Sequence, residues 1–137
     1  MNEKLSVLLV EDDWLIREDM AETLRDGGCE VQLAADYGEA LLALEEEPRT
    51  AVLVTDIDFP GQRSGIELVA DVRSRRPDIG VIVLSGKVRP PRGALPDDVL
   101  FCTKPCAPGA LLELVRACRD WDSLGIRAEE TSAATIS

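Results

Sequence analysis

The chain has 137 residues, 45% of them apolar and only 4% aromatic, with a formal charge of -11 at pH 7. That is the size of one domain, roughly 150 residues being usual, and it is large enough to bury a core without disulfide or metal staples. The acidic balance argues against direct nucleic-acid binding, which needs a basic surface to neutralise phosphates, and leaves proteins or cations as partners.

The N-terminus carries a short apolar run behind Asn2-Glu3-Lys4, too short for a signal core or a membrane span, so no membrane association and a reducing cytoplasm are expected. Cys29, Cys102, Cys106 and Cys118 show no C-x-x-C pairing, and histidine is absent from the chain. They read as core fillers, with neither disulfides nor zinc expected.

Five strand-like runs alternate with helix-like segments, the pattern of a parallel sheet covered on both faces. The strands are expected at about 4–10, 29–34, 51–55, 79–84 and 99–103. The first, third and fourth are near-continuous aliphatics, as central strands buried on both faces require, whereas Cys29-Glu30-Val31-Gln32-Leu33 alternates and suits an edge.

Between them, a first helix over about 14–26 repeats Ile16, Met20 and Leu24 every fourth residue, with Asp13 as cap and Gly27-Gly28 as stop. A second opens on the Asp36-x-x-Glu39 capping pattern, turns Ala40, Leu41 and Leu44 inward and ends before Pro48. A third, about 65–75, buries Ile66, Val69 and Val72. The last, about 108–121, buries Leu111, Leu112, Leu114, Val115 and Cys118. The 86–98 segment holds Pro90, Pro91 and Pro96 and is expected to be a loop or a single helical turn. A polar stretch without periodicity, 122–137, reads as a flexible tail behind a domain spanning 1–121.

The ends of these strands carry the chemistry. Glu11 and Asp12 follow the first run, Asp56 the third, Ser85 the fourth and Lys104 the fifth. In an open parallel sheet ligands collect at the carboxyl ends of the strands. Clustered carboxylates repel one another unless a cation or a shared proton intervenes, and magnesium suits an all-oxygen set. A carboxylate beside that ion can attack a phosphoryl group, and Asp56, at the end of the middle strand, is the candidate nucleophile. Lys104 and the metal would share the phosphoryl charge, and Ser85 would hydrogen-bond a phosphoryl oxygen.

Val10-Glu11-Asp12-Asp13, Thr55-Asp56-Ile57-Asp58-Phe59-Pro60-Gly61, Leu84-Ser85-Gly86 and Thr103-Lys104-Pro105, in this order, resemble the receiver domain of bacterial two-component response regulators over about residues 4–120. The resemblance implies an α/β fold, a doubly wound five-stranded parallel sheet of flavodoxin-like order 2-1-3-4-5. It implies Asp56 as phosphoacceptor from a histidine kinase or phosphotransfer protein, with Mg2+ held by Asp12, Asp56 and the backbone carbonyl of Asp58, and with Glu11 helping through water. Ser85 becomes the switch hydroxyl, Lys104 the phosphate-binding lysine, and Phe101 the switch aromatic. A cis bond is implied at Lys104-Pro105, to which X-Pro pairs are open.

By this resemblance the chain is no enzyme in the ordinary sense, but a phosphoacceptor that catalyses its own phosphotransfer and dephosphorylation. Its output is an unknown protein, and homodimerisation is left open. Two departures stand out: the shortened or irregular fourth helix, and Phe101 in place of the commoner tyrosine. Simpler readings exist for several residues. Asp13 is a helix cap, the Asp58 side chain a turn former, Phe101 an ordinary core aromatic, Trp14 and Trp121 packing or surface residues, and Arg73, Arg75, Arg76, Lys87, Arg89 and Arg92 solvated charges. Two rival functions are an aspartyl-nucleophile phosphatase or phosphotransferase of haloacid dehalogenase type, drawn from Asp56-x-Asp58, and an interaction module that takes no phosphoryl group.

Overall fold

A computed structural model describes residues 4–57, 64–86, 93, 95, 96 and 98–124, with the side chains of residue 108 and of 119–124 excepted. Its elements run β1 (Leu5–Val10), α1 (Trp14–Asp26), β2 (Cys29–Ala34), α2 (Tyr37–Glu46), β3 (Val52–Asp56), α3 (Gly65–Arg75), β4 (Gly80–Ser85), β5 (Leu100–Thr103) and α4 (Pro108–Leu124). The strands form one sheet in the order β2-β1-β3-β4-β5, every pairing parallel. The expected doubly wound α/β sheet is therefore present. Because the order reverses between β1 and β3, α1 and α3 pack on opposite faces of the sheet, which leaves a crevice at the carboxyl ends of these two strands.

Alternate residues of each central strand feed two separate cores. Val7, Leu9, Val52, Val54, Ile82 and Leu84 pack against α1 and α4, which contribute Ala21, Leu24, Leu111, Leu114, Val115 and Cys118. Leu8, Val10, Leu53, Val81 and Val83 face the other way onto α2 and α3, meeting Ala40, Ala43, Leu44, Leu68, Val69 and Val72. Continuous aliphatic runs are what a strand sandwiched between two helical layers demands.

The caps explain where the helices start. Asp13 accepts from the amides of Leu15 and Ile16 at 3.0 and 3.1 Å. Asp36 accepts from the Glu39 amide at 2.9 Å, while the Glu39 carboxylate reaches back to the amide of Ala35 rather than that of Asp36. Ser64 and Glu67 form a reciprocal capping box on α3.

Several expectations need correction. Ile16 does not face the core: Trp14, Leu15 and Ile16 are 64%, 65% and 40% exposed. The first turn of α1 stands at the sheet's carboxyl rim, with no strand beneath it, so periodicity that serves Met20 and Leu24 fails there. Cys102 and Cys106, read as reduced core fillers, are joined in a disulfide with Cα atoms 5.9 Å apart. The chain folds back so soon after β5 that a spacing of four closes a ring. Helix α4 continues past Trp121 to Leu124, into the stretch read as tail, and 125–137 lie outside the described residues.

Of the 86–98 segment, Gly86, Gly93, Leu95, Pro96 and Asp98 are described and none is helical; Lys87, Arg89, Pro90, Pro91 and Arg92 lie outside the description. Asp98 is tied to α3 by Arg73 at 3.0 Å, and Arg73 also donates to the Pro77 carbonyl, so this arginine is a clamp rather than a solvated charge. Among the described residues no helix is long and apolar enough to cross a membrane.

Candidate active site

Parallel register brings the strand ends into one row. Val10 lies beside Thr55, Asp56 beside Leu84 and Ser85 beside Thr103. Each strand then yields its next residue to the same edge, so Glu11, Asp56, Ser85 and Lys104 converge although they are far apart in sequence. The amide of Lys104 extends the pairing by donating to the Ser85 carbonyl at 2.7 Å. Glu11 and Asp56 are buried to 1% and 5% exposure, whereas Asp12 is exposed. Carboxylate oxygens of Glu11, Asp12 and Asp56 all lie within 4.8 Å of one another. The Lys104 ammonium spans the group, donating to Asp56 Oδ2 at 2.7 Å and to Glu11 Oε1 at 3.5 Å.

Electrostatics follow from this burial. Glu11 loses water, and that desolvation raises its carboxyl above the ordinary 4.5, aided by the neighbouring Asp56 charge and a hydrogen bond with Asp12. The Asp13 amide at 3.1 Å and the Lys104 charge act in the other direction without prevailing. Burial also disfavours the Lys104 ammonium, but the hydrogen bond to Asp56 and attraction to Asp56 and Glu11 outweigh it and hold the group above its ordinary 10.5. Among the described residues one ammonium faces this set of three carboxylates, a set that suits a further cation.

The residue set fits a hard divalent ion: all donors are oxygen, and one of them, Asp12, opens to solvent from which bound waters can come. Asp58 lies outside the described residues, so the donation expected of its carbonyl does too. Ser85 Oγ is buried with no hydrogen-bond partner among the described residues. A buried hydroxyl left so is costly, and an incoming oxygen anion would satisfy it. Phe101 is half-buried against the α2/α3 side of the sheet, beside Leu95 and Val99 in the segment that follows β4.

Two supporting residues were not anticipated from sequence. Arg17 Nη1 donates to the Glu11 carbonyl at 2.9 Å and fixes the turn that carries the acids. The Thr55 hydroxyl, fully buried, donates to the Asp56 carbonyl at 2.8 Å and restrains the backbone at Asp56. The sole signal for Arg17 was its place one turn into α1, on the face that looks back at β1.

Residues 7–116 match the family model of the response regulator receiver domain. The chain belongs to the receiver-domain family of response regulators. Response regulator protein FleR of Pseudomonas aeruginosa is 33% identical over 115 residues, covering 80% of this chain and 23% of FleR. The chain spans between about a sixth and a third of the length of the curated relatives it matches. Among solved structures, a CheY-like receiver domain protein from Methanospirillum hungatei superposes with a TM-score of 0.80 at 27% identity, covering 90% of this chain and 99% of that one. Chemotaxis response regulator CheY4 of Vibrio cholerae superposes at 0.74 with 30% identity, covering 85% and 99%. The receiver fold of these neighbours is the β2-β1-β3-β4-β5 sheet described above.

Proposed function

We propose that this receiver domain is a phosphorylation switch in which Asp56 takes a phosphoryl group from a histidine kinase or phosphotransfer protein, with Mg2+ held by Asp12 and Asp56 and supported by Glu11. The observation that carries this reading is the arrangement of Lys104, 2.7 Å from Asp56 Oδ2, beside a buried Ser85 hydroxyl with no partner among the described residues. When bound, the metal offsets negative charge on the phosphoryl oxygens. An ionised carboxylate needs no general base: an Asp56 oxygen forms the bond to phosphorus as the bond to the donor's nitrogen or oxygen breaks, and the donor leaves with that electron pair.

Lys104 then moves its hydrogen bond from Asp56 to a phosphoryl oxygen, a shift of partner that keeps its charge paired. Ser85 donates to a second phosphoryl oxygen. Recruiting this hydroxyl shifts the end of β4, and Phe101 in the neighbouring strand β5 is the aromatic that would respond. A cytoplasmic location and a protein output accord with this role. The domain's own contribution to phosphotransfer and dephosphorylation lies in the same groups.

Intact mass after incubation with phosphoramidate and Mg2+ tests the assignment. Wild type should gain one phosphoryl group and Asp56→Ala none. A protein that gains nothing, with the metal site shown to be filled, would instead be an interaction module.

A further inference from the structure

The loop that carries Lys104 is closed on itself by the Cys102–Cys106 pair. Cys102 sits in β5 at 4% exposure within the core against α1 and α4, while Cys106 is half-buried beyond the turn. Lys104 stands midway between them, its amide on the Ser85 carbonyl and its ammonium on Asp56 and Glu11. The ring therefore encloses the one described cation in contact with the carboxylates. Disulfides of proteins in reducing compartments are typically transient and catalytic or redox-sensing, and one with a half-exposed sulfur can be reached by a small thiol.

We infer that Cys102 and Cys106 form a redox-responsive latch on the Lys104 loop, closed by exchange with a small-molecule disulfide such as oxidised glutathione. The Cys106 thiolate attacks one sulfur of that disulfide, breaking its S–S bond and releasing one thiolate. Cys102, having lost its proton, then attacks Cys106 Sγ in the mixed disulfide and expels the second thiolate. Two protein thiols are oxidised, one small disulfide is reduced to two thiols, and the cysteine protons pass through solvent to the leaving sulfurs. Closure removes conformations of the five-residue loop in which Lys104 points away from the carboxylates. The functional consequence rests on the reading of Lys104 as the cation that meets the phosphoryl group.

The full chain, equilibrated in reduced or in oxidised glutathione, is first mapped by peptide mass spectrometry for the Cys102–Cys106 link. The rate at which an amine-acylating reagent labels Lys104 is then measured in each state. The linked form should label roughly threefold more slowly, because a restrained loop keeps the ammonium on its carboxylate partners. Cys106→Ser should label at the faster rate in both buffers. Equal labelling of the two wild-type states, no link in oxidised glutathione, or a redox response in Cys106→Ser would each overturn the latch. Phosphorylation by phosphoramidate, run in parallel, should be faster in the linked form. If neither form takes up phosphoryl while the labelling contrast persists, the latch stands and the phosphoacceptor reading fails.

Discussion

Burial disfavours the charged form at both ends of the Lys104–Glu11 contact, but it prevails only at Glu11. Glu11 is held above the ordinary 4.5, so its charged form costs the fold something, while Lys104 is held above 10.5, so its charged form is favoured. By linkage, the stability owed to Glu11 is present below 4.5 and lost as pH rises through its raised folded value. That owed to Lys104 is present below 10.5 and lost only as pH rises beyond it. Without metal, the stability of wild type relative to Glu11→Gln should therefore decline as pH rises from 4.5 toward neutrality, as thermal melts of the two proteins across that range can show. Titration calorimetry should also find Mg2+ bound roughly tenfold more weakly by Glu11→Gln, since groups that support metal ligands typically carry that much affinity. Wild type gaining stability relative to Glu11→Gln as pH rises, or unchanged affinity, would contradict the role given to Glu11.

The elements show why some of this was legible beforehand. The near-continuous aliphatics of β1, β3 and β4 suit a strand covered on both faces, and the residues at their ends then share an edge. Glu11, Asp56, Ser85 and Lys104 were accordingly placed together from sequence. What was missed depends on where chain segments end in space. The exposed Ile16 follows from α1 overhanging the rim, and the Cys102–Cys106 pairing follows from the reversal after β5; neither leaves a periodic signal. Arg17 acts through a backbone carbonyl, and such a contact imposes no residue type on its partner.

Gly65 is a further element-scale constraint that spacing alone does not reveal. A Cβ there would collide with the Asp56 carbonyl and lie 2.8 and 2.9 Å from Ile57 Cα and its carbonyl oxygen. The colliding atoms are backbone and cannot rotate away, so α3 must retreat or Asp56 must shift. Gly65→Ala should cost about 1–3 kcal/mol in denaturant melts and slow phosphoryl uptake as well. Full stability with unaltered uptake would show that α3 does not brace the nucleophile.

At the scale of the whole molecule, a doubly wound sheet gathers side chains from four strand ends into one acidic edge, on a chain with net charge -11. Such a surface suits a cation and a basic or neutral protein face far better than nucleic acid. The segment between β4 and β5 leads from Ser85, whose hydroxyl has no partner among the described residues, toward Phe101, and the Arg73–Asp98 pair anchors Asp98 to α3. On the proposed function, a change at Asp56 would reach a partner through β4 and β5, with Asp98 held to α3.

The account stands most directly on the site and metal dependence of phosphorylation. Phosphoramidate-treated protein, reduced with borohydride to convert an acyl phosphate to homoserine and then peptide-mapped, reads both at once. The expected result is homoserine at position 56 alone, formed with Mg2+ and lost when the metal is chelated. Modification at another carboxylate, or equal modification of Asp56 in the presence of chelator, would contradict it.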